Sequence, residues 1–190
     1  MVLNHEQIKN EKLIQNSISE NFDNASYDLR IDKLITVGGS VKKKLNIEPN
    51  SMVVAISKET AKLPKNIIGH AFVKTRLSQR GIMANNIGVI DPGYEGPLSS
   101  VLVNFGKEAY ELKENEIFLR LTFSTFNEPS ENIPIEYGPF ERKEYETNKR
   151  ADTIEYLGNA FIDIEKSIKN KVKSSLAKMI TNFGLWAIAF

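Results

Sequence analysis

Residues 88–121, GVIDPGYEGPLSSVLVNFGKEAYELKENEIFLRL, carry the strongest fold signal in this chain of 190 residues. The stretch has a turn sequence, Asp91-Pro92-Gly93, followed by two apolar runs, LSSVLVNF and IFLRL. Proline presets φ and glycine accepts a positive φ, so the turn sequence predicts a tight hairpin. Such a hairpin would bring an acid, Asp91, and an aromatic ring, Tyr94, into one concavity. An Asp-Pro-Gly sequence is also common in turns that have only a structural role.

Short apolar or alternating runs continue on the N-terminal side of this stretch. They include YDLRI, LITV, MVVAI and IIGHAFV. Runs of about five residues at intervals of about 10 to 15, broken by Gly, Pro and Asn, are typical of an all-β barrel or sandwich. Residues 5–18 predict a short N-terminal helix, because isoleucine and leucine recur there between charges at roughly helical spacing.

The C-terminal part of the chain has a different pattern. Apolar residues recur every three or four positions over 154–183, which predicts one long amphipathic helix. The last twelve residues, MITNFGLWAIAF, are mostly apolar, but a helix needs about 20 residues to span a bilayer. Two interpretations stay open for this tail: packing on the β domain or on another copy, and a membrane-proximal segment. We therefore expect a β domain at 1–145 and a helix and tail at 146–190.

The composition excludes several classes of function. Lysine and arginine number 25 against 24 aspartates and glutamates, so we expect no nucleic-acid partner. The absence of cysteine excludes disulfides, cysteine-ligated zinc and thiol chemistry, and two histidines exclude a histidine-rich metal cluster. The charged N-terminus lacks an apolar run of signal-peptide length. We expect a cytoplasmic protein, with membrane association through the C-terminus as the alternative.

Residues 88–106 resemble the third motif of the dUTPase and dCTP deaminase superfamily, in which a GVIDxxYxG hairpin is followed by a strand and NFGKE. ASYDLRI at 25–31, KTRLSQRGI at 74–82 and KENEIFLRLTF at 113–123 are similar to the first, second and fourth motifs. The N-terminal helix and the segment EPNSMVVAISKETAKLPKNIIG more closely resemble the dCTP deaminase branch. The resemblance covers residues 5–150.

This resemblance implies a distorted β-barrel of the dUTPase type, assembled as a homotrimer with nucleotide sites between subunits. It implies that Asp91 activates the hydrolytic water and that Tyr94 packs under the deoxyribose. The hairpin backbone would read the pyrimidine edge, and Ile90 is placed among the nucleotide-binding residues. Asp28 would lie near a triphosphate-bound Mg²⁺ or have a structural role. The residues implied in phosphate binding are Thr75, Arg76, Ser78, Gln79, Arg80 and Arg120.

The sequence also departs from the superfamily at the position of a catalytic residue. In dCTP deaminases a glutamate on the strand after the hairpin exchanges protons with water and the leaving amine, and gap-free alignment puts Val101 there. A valine transfers no proton, so deamination by that mechanism should be lost.

The phosphate-binding motifs and the closing arm depart as well. In the second motif the family arginine falls on Gln79, and Arg80 would not replace it if this segment is a strand, since neighbours on a strand face opposite sides. Arg120 stands where dUTPases have a glutamine. The glycine-rich C-terminal arm of dUTPases is missing. Candidates for a lid in its place are Tyr137, Tyr145, Lys149 and Arg150, which are alternatively surface residues of a charged linker.

Three hypotheses follow. The first is a pyrophosphatase that converts dUTP, or a related pyrimidine deoxynucleoside triphosphate, to the monophosphate and pyrophosphate with Mg²⁺. The second is a catalytically degenerate trimer that senses a nucleotide, or contacts a partner or a membrane through its C-terminal helix. The third, a dCTP deaminase, is opposed by Val101.

Overall fold

The computed structural model describes residues 1–85, 88–126, 138–161 and 172–176. The chain divides into two units, Met1–Asn159 and Ala160–Phe190. All of the strands described below lie in the first unit. In the second unit, residues 172–176 are helical.

Most of the first unit is strand, as predicted. The strands are β1 (Ile14–Gln15), β2 (Phe22–Asp23), β3 (Ser26–Thr36), β4 (Val41–Lys42), β5 (Lys44–Ile47), β6 (Met52–Lys62), β7 (Ile67–Val73), β8 (Ile82–Ala84), β9 (Val89–Ile90), β10 (Glu95–Asn104), β11 (Tyr110–Lys113) and β12 (Ile117–Thr125). The helices are α1 (His5–Asn10), a 3₁₀ turn at Ser19–Asn21, α2 (Thr75–Ser78) and α3 (Arg142–Tyr156).

The main sheet is antiparallel, and its strands lie in the order β8, β10, β6, β3, β12, β7 and β9. Three short strands extend it, because β1 pairs with β6 while β2 and β4 pair with β3, and β5 and β11 form a separate ribbon. The register shifts between β3 and β6, between β3 and β12, and between β6 and β10. Such irregularities bend strands and increase their twist, so the sheet curls. The predicted all-β class is confirmed, with the curled sheet of a dUTPase-like fold.

Two apolar clusters hold this sheet together. The larger one lies inside the curl, where Tyr27, Phe118 and Phe123 are among the largest fully buried side chains. The smaller one lies on the other face of β3 and β6, where the side chains of Ile35, Val54 and Ile56 form it. The central strands are therefore buried on both faces.

The helices differ from the prediction in their bounds. α1 has a capping box, with the Asn4 side chain accepting from Gln7 N and the Gln7 side chain accepting from Asn4 N. It ends at Asn10, so it is shorter than the predicted 5–18. α3 begins at Arg142 instead of residue 154, within the segment interpreted as a charged linker, and it ends at Tyr156.

The expected division at residue 145 falls inside α3. Residues 157–161 are not helical, so the predicted continuous helix from residue 154 is interrupted there. Most of its remaining course, at 162–171 and 177–190, lies outside the described residues. No helix within the described ranges combines the length and apolar character needed to cross a membrane.

Candidate functional site

β9 and β10 are joined by a reverse turn at Asp91–Tyr94. Tyr94 N donates to Asp91 O at 3.1 Å, and Gly93 has a φ of 83°. Proline in the second position and a left-handed glycine in the third are characteristic of a type II turn. In the part of the chain that the structure describes, β9 pairs with β7 and β10 pairs with β6 and β8. The predicted hairpin is thus a turn between two strands that pair with different neighbours.

The Asp91–Tyr94 turn borders a cavity of about 390 Å³, called here the turn cavity. One wall comes from the turn and its strands: Val89, Ile90, Asp91, Tyr94, Leu98 and Ser99. The opposite wall comes from α3 and the residues just before it: Phe140, Glu141, Glu144, Tyr145, Asn148 and Lys149. Positions three and four apart share one face of a helix, so one face of α3 lines the cavity.

Aromatic rings form part of the turn cavity. The ring centroid of Tyr94 lies 5.7 Å from that of Phe140, which lies 6.3 Å from that of Tyr145. Phe140 is held beside the turn because its N–H donates to Glu95 O at 2.9 Å. The Tyr145 hydroxyl lies 2.8 Å from Ser99 Oγ. The cavity therefore combines flat apolar surface with a pair of hydroxyl groups.

Tyr94 lines the cavity, and its hydroxyl donates to Pro97 O on β10. Burial raises the pKa of the Tyr94 hydroxyl well above its ordinary value, and the neighbouring Tyr145 adds to the shift. The hydroxyl therefore stays protonated near neutral pH. A half-buried ring fixed in this way is suited to packing against a sugar.

Asp91 is exposed at the start of the turn. Among the described residues, its carboxylate takes part in no ion pair. It lines the turn cavity together with Ile90 and Tyr94, so three of the predicted site residues lie together. A solvated carboxylate beside a cavity can accept a proton from a water molecule.

Polar contacts hold α3 against the sheet. The Arg142 guanidinium donates to Ser57 O at 2.9 Å and to Lys58 O at 2.8 Å, both on β6. Glu146 pairs with Lys33 on β3 at 2.6 Å. Thr153 is the buried residue of this helix. The α3 wall of the turn cavity is therefore positioned mainly by charged groups.

Asp28 and Arg120, predicted to contact metal and nucleotide, bind each other. Arg120 Nε donates to Asp28 Oδ1 at 2.8 Å, and Lys74 Nζ donates to Asp28 Oδ2 at 2.6 Å. Arg120 also pairs with Asp23 at 2.9 Å. The hydrogen bond with Asp28 raises the pKa of Arg120, while the backbone N–H of Asn24 and the charge of Arg120 lower that of Asp23. These four charges form one network, called here the Asp28 network.

The Asp28 network does not fit a protein-ligated Mg²⁺. Both carboxylate oxygens of Asp28 accept from cations, and a divalent cation would compete with those two groups for the same lone pairs. Within the described ranges, no three carboxylate or histidine side chains are grouped as metal ligands would be.

The segment predicted to bind phosphate begins with α2, a single helical turn, so the strand geometry considered for Arg80 does not apply. Its five candidate residues are all exposed and line no part of the turn cavity: Thr75, Arg76, Ser78, Gln79 and Arg80. Arg76 lies 3.4 Å from Glu116, and the Arg80 guanidinium lies 6.0 Å from the ring centroid of Tyr110. Ser78 Oγ donates to Thr75 O. The predicted site residues thus fall into two regions of the chain: the turn cavity, and α2 with the adjoining Asp28 network, which Lys74 joins as the N-cap residue of α2.

The family model described as dCTP deaminase-like matches residues 36–126. The dCTP deaminase of Pyrococcus horikoshii is 30% identical over 137 residues, which cover 70% of this chain and 87% of that protein. This chain belongs to the dCTP deaminase-like family. A dCTP deaminase described as dUMP-forming, from Methanosphaera stadtmanae, is 30% identical over 127 residues, 66% of this chain and 63% of that protein.

The fold agrees with this family. The crystal structure of the 2′-deoxycytidine 5′-triphosphate deaminase from Agrobacterium tumefaciens superposes with a TM-score of 0.56 at 14% identity. The match covers 64% of this chain and 48% of that one. The resemblance to the dUTPase and dCTP deaminase superfamily is therefore confirmed.

At the position aligned with the deaminase glutamate, this dCTP deaminase-like protein has an apolar contact. Val101 on β10 packs with Ile35, Val54 and Ile56, the cluster that Tyr145 and Leu157 also cover. A second cavity of about 310 Å³, called here the Val101 cavity, adjoins it. Its lining is Val54, Ser99, Ser100, Val101, Lys149, Asp152, Thr153, Tyr156 and Leu157. The carboxylate in that set, Asp152, is paired with Lys149 at 3.2 Å.

Sequence reasoning missed most of the α3 wall. Tyr145 and Lys149 were lid candidates and do line the turn cavity, whereas Glu141, Glu144 and Asn148 were not singled out. Their spacing of three and four residues is a helical signal that the high charge of the segment concealed. Arg150 does not line the cavity, and Tyr137 lies outside the described residues.

Proposed function

We propose that this protein binds the base and sugar of a pyrimidine deoxynucleotide in the turn cavity and does not deaminate it. The observation that carries the proposal is a contrast between two positions. The Asp91–Tyr94 turn lines the turn cavity with a carboxylate and a phenol, whereas the Val101 cavity has a valine at the position where we predict the deaminase glutamate to align. The names of its relatives, which include dCTP deaminases, support a pyrimidine as the base.

The turn cavity offers the groups that a nucleoside needs. The ring of Tyr94 gives a flat surface for the deoxyribose, and Phe140 extends that surface. The hydroxyls of Ser99 and Tyr145 form one hydrogen bond with each other, and either oxygen retains capacity for a further bond to the edge of a base. Pockets with much apolar lining and a few placed polar groups are typical of small-ligand sites.

Loss of deamination follows from proton chemistry. Attack of water on the ring requires a group that takes a proton from the water and returns it to the leaving amine. Val101 does neither. Asp152 shares the Val101 cavity, but its carboxylate is engaged with Lys149. We therefore expect no ammonia from deoxycytidine nucleotides.

Hydrolysis of dUTP to dUMP and pyrophosphate is the second candidate function, and the placement of Asp91 favours it. This carboxylate is exposed, lines the turn cavity and is free of ion pairs with the described residues. It could take a proton from the water that attacks the α-phosphorus, with Mg²⁺ entering on the triphosphate. The phosphates would need cations from elsewhere, since the exposed residues of α2 line no part of the turn cavity.

A homotrimer could supply the cations that the phosphates need, and we propose that the protein forms one. Exposed apolar side chains on the outer strands, Phe72 on β7 and Val89 on β9, support contact between copies. In such an assembly the α2 arginines of one protomer could approach the turn cavity of the next. Light scattering coupled to size-exclusion chromatography measures the mass directly, and a monomer would refute this part.

Ligand binding and product analysis test the proposed function together. The purified protein is incubated with dUMP, dUTP, dCTP and dTTP, and melting temperature, pyrophosphate and ammonia are measured. A higher melting temperature with a pyrimidine nucleotide and no ammonia is expected. Pyrophosphate from dUTP that disappears in Asp91→Asn, and persists in the exposed control Glu155→Gln, would establish the second candidate. Ammonia release from dCTP, or no stabilisation by any pyrimidine, would refute the proposal.

A further inference from the structure

We infer that the Val101 cavity is a specificity pocket for an apolar substituent on C5 of the pyrimidine ring. The inference rests on the proposed function, which puts the base in the turn cavity, and it specifies the class of base. It is carried by the way in which the two cavities adjoin and by the apolar side chains that line the second one.

The two cavities adjoin along the groove between β10 and α3. Ser99 on β10 and Lys149 on α3 line both of them. In each element, the lining residues that precede this shared residue belong to the turn cavity, and those that follow it belong to the Val101 cavity. A ligand in the turn cavity can therefore extend into the Val101 cavity between Ser99 and Lys149.

The hydrogen bond between Ser99 and Tyr145 lies at the boundary between the cavities. Their hydroxyl oxygens are 2.8 Å apart, and Tyr145 both lines the turn cavity and packs on the cluster that includes Val101. In the proposed function these two hydroxyls bond to the polar edge of the base. C5 is the ring atom next to the 4-position of that edge, so a substituent on C5 projects past the two hydroxyls and into the Val101 cavity.

The Val101 cavity offers apolar surface to such a substituent. Its aliphatic lining consists of Val54, Val101 and Leu157. Its charged groups, Lys149 and Asp152, pair with each other at 3.2 Å, and the Thr153 hydroxyl donates to Lys149 O at 2.6 Å within α3. An alkyl group would therefore displace water from apolar surface without taking a hydrogen-bond partner from these polar groups.

A series of ligands that differ only at C5 tests this inference. By calorimetry, dUTP, dTTP, 5-ethyl-dUTP and 5-propyl-dUTP are titrated into the full chain without Mg²⁺, so that hydrolysis does not compete with binding. All four carry the same sugar and triphosphate, so the ratios of their Kd values isolate the substituent, however many copies build the phosphate site. Burial of one methylene corresponds to about a fourfold change in Kd. Because the Lys149 and Asp152 side chains leave the cavity partly open to water, we expect Kd to fall about twofold to fourfold with each added carbon.

Variants at Val101 test whether this cavity is the pocket. Val101→Phe fills it, and Val101→Thr keeps the shape of valine but replaces a methyl group with a hydroxyl. In both variants the ratio of the dUTP Kd to the 5-propyl-dUTP Kd should fall by at least about threefold. Val41→Thr makes the same change at an exposed valine outside both cavities, and it should leave the ratio unchanged. Val101→Thr alone suffices for this comparison if the larger phenylalanine prevents folding.

The outcomes separate this inference from the proposed function. Binding of dUTP that is as tight as binding of the alkyl-substituted ligands, or a ratio that no folded Val101 variant lowers, overturns the inference alone. Absence of binding by all four ligands overturns the proposed function as well.

Discussion

Replacing Arg142 with alanine should detach α3 from the sheet and open the turn cavity. The guanidinium donates to Ser57 O at 2.9 Å, to Lys58 O at 2.8 Å and to the Asp32 carboxylate at 3.3 Å. It is the first residue of α3, so it fixes the end of the helix that carries Phe140 and Glu144 into the cavity wall. Tyr145, in the same turn of the helix, adds a hydrogen bond with Ser99 and an apolar contact with the sheet, so the substitution removes the polar part of what holds this end.

The size of the effect follows from those contacts. A hydrogen bond that involves a charged group contributes about 1.5 to 3 kcal/mol when it is buried. Here there are two to carbonyl oxygens, but the Arg142 side chain is 32% exposed, and water replaces part of what is lost. The ion pair with Asp32 adds little at this exposure. We therefore expect Arg142→Ala to lower the free energy of unfolding by about 2 kcal/mol.

Urea unfolding followed by circular dichroism measures this loss, and hydrogen exchange locates it. Exchange should quicken most in the amides of α3, which open locally as well as on global unfolding, whereas the amides of β3 and β6 should quicken only by the loss of global stability. Arg142→Lys keeps the positive charge but loses the forked pair of donors. Its free energy of unfolding should therefore lie between those of the parent protein and Arg142→Ala. Lys143→Ala, at the exposed neighbouring position, is the matched control and should stay within about 0.5 kcal/mol. An Arg142→Ala protein with the stability and α3 exchange of the parent would refute the reasoning.

Three further predictions concern the scaffold. Burial raises the pKa of Tyr27 to about 12. The contribution of the neutral hydroxyl to stability should therefore be complete below pH 10 and be lost as the pH rises through 12. In Tyr27→Phe the free energy of unfolding from urea titrations should vary less with pH over this interval. Gly39 has a φ of 76°, and a Cβ there would meet the Ile154 side chain. Gly39→Ala should therefore lower the free energy of unfolding by about 1 to 3 kcal/mol in thermal unfolding. Adding Ile154→Ala to this variant should relieve the steric clash but not the cost of the positive φ. Asp28→Asn should lower the free energy of unfolding by about 3 kcal/mol because two cations lose a buried partner. Asp23→Asn should cost far less because water screens its exposed ion pair, and equal losses in urea unfolding would contradict the Asp28 network.

The strands and the turn were accessible from sequence because local rules specify them. Apolar runs such as MVVAI became the buried strand β6, and Pro92 with Gly93 formed the predicted turn. The N-terminal helix was predicted too long because Ile14, which continues the helical spacing, instead pairs with Ala61 in the sheet. A local pattern cannot reveal that competing partner.

The arrangement of the candidate site depended on register, which local patterns do not give. Arg120 and Asp28 are directly opposite each other on β12 and β3, and cross-strand neighbours of opposite charge pair. Lys74, the N-cap of α2, binds the same carboxylate. Asp28 and Arg120, which the family resemblance assigns to metal and nucleotide binding, therefore form an ion pair with each other.

α3 escaped prediction because its packing is unusual for a helix. A docked helix normally presents an apolar stripe, whereas this one is held by Arg142 and Glu146 and buries Thr153. Tyr145 supplies the main apolar contact at its start. The acceptors on β6 are backbone carbonyls, which no side-chain pattern encodes.

Val101, which we predict to stand in place of the deaminase glutamate, lies where α3 docks on the sheet. Tyr145 and Leu157 reach the sheet where Val101 joins Val54 and Ile56. A glutamate at position 101 would replace an apolar side chain of this cluster with a charged one beside the Val101 cavity, and desolvating any part of a charge costs free energy. An apolar residue at that position therefore permits the helix to pack there, and the helix in turn brings Glu144 to the turn cavity. The residue on which we base the proposed absence of deamination thus lies at the contact that positions the α3 wall of the turn cavity.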